Sequence, residues 1–373
     1  MMSIKTLYLR GLAKVSFIYH NKRTLLFILS IIMLILTLAV FLLFIYPLHI
    51  ADSEILPDRP LVIAWEYVYN HTDTSSIEAM SPLQIVSPTW FHISSADGTI
   101  ENLACENYLQ WAWNRGYKVW GLVSNSFDPD ITAVILSDPV LRRSIVEELI
   151  NLSLEYKLDG LNIDFENFHS DYRDHFSSFI YELAELCHEH NLTLSVDVTI
   201  ISDTEYWSLC YDLATLSEAA DYIIVMAYDE HWKGSPVPGS VSSLPWVEKG
   251  IVAMLLEVPA EKLILGVPFY TRLWEIDDSG ETLRVIGSNS YSMMRAEQII
   301  ADNKAMVTWD EQTKQHLAYF YRDDHLFKMW LEDIASMQYR LKLVDSYNLA
   351  GIAAWRRGLE KPEIWDLIED HWK

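Results

Sequence analysis

Eight short apolar runs, separated by segments of helical pattern, constrain the fold of this chain more than any other feature. They occupy 61–65, 85–93, 118–123, 160–165, 192–198, 222–228, 263–269 and 351–355. Strands that alternate with helices form a parallel sheet covered by those helices, and eight is the number at which such a sheet closes into a (β/α)8 TIM barrel. An open doubly wound sheet would share the local pattern, but no glycine-rich phosphate loop follows the first run. The helical segments are 102–115, a stretch started by Ser137-Asp138-Pro139 with apolar positions at Ile145, Leu149 and Leu152, then 172–190, 244–256 and 331–347. One stretch, 275–328, breaks the rhythm. It holds a helix-like piece at 292–303 and two strand-like runs, 306–309 and 317–321, parted by DEQTKQ. The expectation is an elaborated loop with a hairpin at the barrel rim after strand seven.

Charge divides the chain. The whole carries −24 at pH 7, a balance that phosphates would repel, so nucleic acid is excluded as a partner. Residues 1–23 contain Lys5, Arg10, Lys14, Lys22 and Arg23 and no acid, and 24–46 is an uncharged apolar run of 23 residues. Such a run is long enough to span a bilayer, and bases on its N-terminal side place that side in the cytoplasm. The expected organisation is a basic cytoplasmic tail at 1–23, a transmembrane signal anchor at 24–46, a linker at 47–59 and a barrel over 60–373 in the extracytoplasmic space of a cell membrane. A cleaved secretory signal would export the same domain. The cysteines, Cys105, Cys187 and Cys210, have no metal-like spacing and read as buried free thiols.

The chemistry concentrates in LDGLNIDFENF at 158–168. A strand has a side-chain period of two, so Asn162, Asp164 and Glu166 share one face while Leu161, Ile163 and Phe165 share the other. Two carboxylates on one face of a buried strand are costly without a partner or a task. In a barrel, the C-terminal strand ends carry catalytic groups, and a carboxyl with a carboxylate neighbour keeps its proton to higher pH. Glu166, nearest the mouth, is the better acid. His231 lies beside the sixth run, and no His/Asp/Glu group has metal-ligand spacing, so neither metal nor cofactor is expected.

The run Asp159-Gly160-Leu161-Asn162-Ile163-Asp164-Phe165-Glu166 resembles the DGxDxDxE signature of glycoside hydrolase family 18, the chitinase-like TIM barrels. With asparagine at the middle position, it is similar to the branch of spore-germination and cell-wall N-acetylglucosaminidases of Gram-positive bacteria. Three further stretches resemble that branch in order: MAYDEHW from Met226, GVPFYTRLW from Gly266 and GIAAWR from Gly351. The resemblance implies a retaining mechanism without a protein nucleophile. Glu166 would protonate the glycosidic oxygen, and the sugar's own N-acetyl oxygen would attack the anomeric carbon to give an oxazolinium ion. Asp164 would orient the acetamide and offset its positive charge, Tyr228 would bond the acetamide oxygen, and Glu166 would then activate water. Asn162, Met226, Asp229, Tyr270, Arg272 and Trp355 would line the sugar site. The implied substrate is an N-acetylglucosamine-containing polysaccharide, peptidoglycan of wall or spore cortex, with chitin oligomers as the alternative. A non-catalytic glycan-binding barrel is the rival from another class, and the presence of Glu166 speaks for catalysis. The departure at Asn162 matters, because an amide cannot titrate and Asp164 loses one means of holding a proton.

Overall fold

A computed structural model describes residues 59–69, 72–280 and 282–373. The expected tail, the membrane span at 24–46 and nearly all of the linker lie outside the described residues. Within them the chain from Arg59 to Lys373 forms one compact unit.

Nine strands build the main sheet: β1 (Leu61–Glu66), β2 (Ile85–Ile93), β3 (Ile100–Asn102), β4 (Lys118–Ser124), β5 (Gly160–Asp164), β6 (Thr193–Thr199), β7 (Tyr222–Met226), β8 (Leu263–Pro268) and β14 (Gly351–Trp355). All but β3 are parallel. β14 pairs with both β8 and β1, and β1 pairs with β2, so the sheet of eight closes into the expected barrel. β3 adds antiparallel to β2. The period of two decides which side chains go where. Val62, Ala64, Val119, Leu161, Ile163, Val196, Val225 and Ile352 face outward into the core shared with the helices. Ile63, Trp65, Trp120, Leu122, Ile224, Ile264 and Ala353 fill the barrel interior.

The surrounding helices are α1 (Glu106–Trp113), α2 (Pro129–Ser137), α3 (Pro139–Glu155), α4 (Arg173–Glu189), α5 (Leu213–Ala219) and α6 (Leu244–Met254), followed later by α8 (Ile334–Tyr347) and α9 (Glu363–His371). The start read at Asp138 is real. Its carboxylate accepts from the backbone N–H of Val140 (2.9 Å) and Leu141 (3.2 Å), with Pro139 at the first helical position. Between β1 and β2 the described residues hold only a 3-10 turn, Thr74–Ser76.

The rim insertion corrects the expectation. It is a five-stranded antiparallel sheet of β9 (Tyr270–Asp277), β10 (Arg284–Ser292), β11 (Met306–Asp310), β12 (Gln315–Arg322) and β13 (His325–Trp330), in the order β10-β9-β13-β12-β11, with α7 (Met293–Asn303) between β10 and β11. It begins at Tyr270, not at 275, with only Phe269 between it and the end of β8. The run GVPFYTRLW therefore belongs to two sheets. No polar break marks the change, because β9 is buried along most of its length. Leu273, Ala296, Phe320, Phe327 and Met329 give the insertion a core of its own. A buried network fastens it to the barrel. Arg340 of α8 donates to Glu332 Oε1 (2.8 Å) and to the Ser242 carbonyl (2.5 Å), and Gln315 of β12 donates to the same Glu332 oxygen (2.7 Å). Burial pushes the Glu332 carboxyl up to about 8 despite Arg340.

Candidate active site

On β5 the parity expected from the sequence holds. Leu161, Ile163 and Phe165 are wholly buried in the outer core, where Phe165 stacks on Phe179 at 5.3 Å. Asn162 and Asp164 point inward. The ladder stops at Asp164, however, so Glu166 stands two residues beyond the strand rather than on it. Side chains from other elements hold it there. Asn125, buried just past β4, accepts from the Glu166 N–H (3.1 Å) and donates to the Glu166 carbonyl (2.7 Å). Tyr211 donates its hydroxyl to the Phe165 carbonyl (2.8 Å). The acid's backbone is thereby fixed although the sheet has ended.

Asn162 lies beneath the site. It has no exposed surface, and its amide accepts from Trp65 Nε1 (2.7 Å) and Ser87 Oγ (3.0 Å) while donating to Ser195 Oγ (3.0 Å) and Asp197 Oδ1 (2.7 Å). Every bond the amide offers is used within the barrel, so the expected sugar contact at Asn162 has no surface to come from. It is a strut between β1, β2, β5 and β6.

Three carboxyls cluster above it. Burial pushes Asp164 up to about 7. Glu166 is held well above the usual carboxylate range, first by burial and then by the charges of Asp164, Asp197 and Asp229. Asp197, on β6, is raised strongly by burial and by Asp164, against the hydrogen bonds from Asn162 and Trp65. Near neutrality Asp164 is thus close to its ionisation point, beside a Glu166 carboxyl that holds its proton to higher pH than an ordinary glutamate. That is the condition for an acid beside an anion.

Two cavities meet at Glu166. The inner one, about 450 Å³, is floored by Asp164 and Asp197 and walled by Trp65, Tyr67, Trp355, Met226 and Tyr228. The outer one, about 570 Å³, is lined by Trp207, Trp232, Trp246, Ile200, Ile201 and Glu230. Glu166, Trp207, Met226, Tyr228 and Asp229 border both. Trp355, at the end of β14, packs edge-on against Trp65 and Tyr67, each at 5.7 Å. Tyr270 donates to Asp229 Oδ1 at 2.6 Å, and Arg272 lies 3.6 Å from the same oxygen. These two residues therefore set the pose of Asp229. With Asp229 and Trp355 they also line a smaller pocket of about 270 Å³ under the rim sheet. His231 bonds the Ser240 carbonyl (3.0 Å) and lines none of these cavities. The cysteines are free and buried.

Sequence reasoning missed Asp197, Asn125, Trp207 and Tyr67. Asp197 carried a readable signal, since Ser195 and Asp197 alternate with Leu194, Val196 and Val198 as Asn162 and Asp164 do on β5. Asn125 carried none, because it sits in a loop and its partner lies 41 positions along the chain.

The mouth of a closed parallel barrel here holds a carboxyl of raised pKa between two aromatic-lined cavities, the arrangement a carboxyl-driven glycosidase needs. The family model for glycosyl hydrolases family 18 matches residues 92–360, and the chain belongs to that family. Among curated relatives it is 27% identical over 282 residues to the uncharacterized glycosylase YvbX of Bacillus subtilis (strain 168), covering 73% of this chain and 80% of that protein. It is also 27% identical to the cortical fragment-lytic enzyme of the same organism, covering 68% of this chain but 58% of that protein. The chain thus spans less than two thirds of the cortical enzyme. Among solved structures, the spore cortex-lytic enzyme SleL of Bacillus megaterium QM B1551 superposes with a TM-score of 0.73 at 21% identity, covering 85% of this chain and 75% of that one. A chitinase of Chromobacterium violaceum ATCC 12472 gives 0.73 at 23% identity, covering 84% and 98%. Both share the fold.

Proposed function

We propose that this protein is a retaining glycosidase that cleaves β-linked N-acetylglucosamine-containing glycans, with peptidoglycan of the cell wall or spore cortex as its substrate. The observation that carries the reading is the position of Glu166 on the wall common to the two cavities. A glycan threaded through both would put its scissile oxygen beside a carboxyl that burial holds in its acid form well above the usual carboxylate range. The retained proton is what a departing sugar oxygen requires.

Asp164 on the floor of the inner cavity faces the space where the N-acetyl group of the bound sugar would lie. As an anion it orients the acetamide N–H and offsets the positive charge of the oxazolinium ion formed when the acetyl oxygen attacks the anomeric carbon. Tyr228 bonds the acetamide oxygen, Met226 and Trp355 give its methyl group and the sugar's C–H face an apolar wall, and Asp229 takes a hydroxyl. Glu166, having given up its proton, draws one from water as the ion is hydrolysed, so configuration is kept without a protein nucleophile. The cortex-lytic relatives support the choice of peptidoglycan.

The anchor belongs to the same reading. The uncharged run at 24–46 behind five bases supports a single-pass signal anchor, with the barrel beyond residue 60 on the outer face of the membrane. Protease added to intact cells should remove the barrel and leave a membrane-embedded stub; a barrel that resists until the cells are lysed refutes this topology.

The test of the activity is reducing-sugar release from purified peptidoglycan and from chitin oligomers by the wild type and Glu166→Gln. Release by the wild type and its loss in the variant, with unchanged thermal unfolding, is the expected outcome. Release from chitin oligomers alone moves the substrate to chitin. Glycan binding without release makes the protein a binding module.

A further inference from the structure

β5 and β6 run parallel and in register, with Asn162 beside Ser195 and Ile163 beside Val196. Continued one residue past the last ladder pair, that register puts Asp164 beside Asp197, and the two-residue period turns both side chains inward. Both line the inner cavity. Asp197 Oδ1 accepts from Asn162 (2.7 Å), whereas Asp197 Oδ2 and Asp164 Oδ1 are buried with no hydrogen-bond partner among the described residues. Two acceptor-only carboxylates side by side on neighbouring strands would leave both oxygens unsatisfied and two like charges together in a desolvated site. One proton between them resolves both costs. The groups facing Asp197 do not relieve the charge otherwise. They are Asp164 and Glu166 from β5 and its following loop, Tyr211 from the loop after β6, Tyr228 past β7, and the neutral donors Asn162 and Trp65. None is a cation.

We propose that Asp197 is a positioning residue that shares one proton with Asp164 and takes it when Asp164 must meet the substrate's acetamide as an anion. β6 thereby supplies the second carboxyl that β5, with Asn162, does not. The proton leaves Asp164 Oδ1 for Asp197 Oδ2, the charge of the pair stays at one negative, and no other reactant takes part. Asp197 touches no reacting atom. Its effect reaches the sugar through Asp164, and the assignment rests on the proposed role of Asp164 above. Burial raises both carboxyls from the ordinary aspartate range, in keeping with a retained proton.

The test is a carboxyl swap. Asp197→Asn keeps the shape and the bond to Asn162 but cannot accept the proton, so Asp164 loses the charge-assisted O–H···O bond that favours its anion. The expected result is a kcat about tenfold lower, the equivalent of one pKa unit at Asp164, with KM little changed and the acidic limb of kcat/KM displaced to higher pH. The double variant Asn162→Asp/Asp197→Asn returns a carboxyl to the cluster from the neighbouring position and should recover most of the loss and restore the limb. A purely structural Asp197 would leave the limb in place. An unmoved limb in Asp197→Asn, or a double variant no better than the single, overturns the proposal while the wild type remains a glycosidase; a wild type inert on every glycan overturns the parent reading instead. Independently of turnover, carboxyl NMR of aspartate-labelled wild type should show one aspartate still protonated at neutral pH. All aspartates ionised there overturn the shared proton.

Discussion

Asn125 offers the sharpest prediction, because it acts on Glu166 without touching substrate. It forms four bonds through one buried amide: its oxygen accepts from the Glu166 N–H (3.1 Å) and the Phe127 N–H (3.3 Å), and its nitrogen donates to the Glu166 carbonyl (2.7 Å) and to Thr132 Oγ1 (2.8 Å). Asn125→Ala removes all four. Each is worth about 1 kcal/mol net, and the two main-chain groups of Glu166 are left to find water from the adjacent cavity, so the expected loss of stability is about 2–4 kcal/mol. The larger effect falls on rate. Glu166 lies beyond the end of β5, so nothing in the ladder replaces the clamp, and a shift of about 1 Å in an acid's position costs on the order of a hundredfold. Steady-state kinetics below the unfolding transition should show kcat falling on the order of a hundredfold with KM changed little, since Asn125 lines neither cavity. Asn125→Asp keeps an acceptor for the Glu166 N–H, loses the donor to its carbonyl and adds a negative charge, so it should also hold Glu166 protonated to still higher pH. Wild-type kcat in folded Asn125→Ala, or a loss confined to KM, refutes the clamp.

Other outcomes follow from the same geometry. On the proposed mechanism Asp164 acts ionised and Glu166 protonated, so kcat/KM should rise through about 7, where burial places Asp164, and fall again where Glu166, raised by burial, ionises; a pH profile flat from about 5 to 8 contradicts this. The sign for stability is opposite to that of an ordinary salt-bridged aspartate. A raised folded pKa costs stability as pH climbs from the unfolded value through about 7, so Asp164→Asn should unfold at higher temperature than wild type near pH 8, by up to about 4 kcal/mol, and equally near pH 4. Tyr270→Phe frees Asp229 from its 2.6 Å bond and should raise KM more than it lowers kcat, read on oligosaccharides. Arg340→Met leaves Glu332 buried without its cation and should cost about 3–5 kcal/mol in chemical denaturation, with the loss growing as pH rises past about 8. A loss below 1 kcal/mol would mean that the rim sheet is held by packing alone.

The barrel was legible because closure leaves a trace along the chain. Each of the eight strands needs one apolar face for the helices and one for the interior, and both faces are printed locally as short runs. β2 and β14 were located to the residue, and the other six to within two residues at either end. The insertion was less legible because its strands satisfy two conflicting neighbours. β9 packs on the barrel side and on its own sheet, which erased the break after Pro268, and β10 is too polar to read as a strand at all.

At the site, the sequence alone determined the spacing on β5: the inward set Asn162, Asp164 and Glu166, and the outward set that buries against α4. It also determined the order of four motifs that a barrel brings to one mouth. Only the tertiary structure decided what surrounds them. Asp197 reaches the Asp164 rung because β5 and β6 pair in one register rather than another, and a slip of one residue would have turned it into the outer core. Asn125 reaches Glu166 because two loops end on the same rim. Asn162 is a strut because three other strands, β1, β2 and β6, aim donors and acceptors at it from the barrel's interior. Local spacing fixes the face of a side chain; the closed sheet alone fixes its neighbours, and in a low-dielectric cavity neighbours decide where a proton rests.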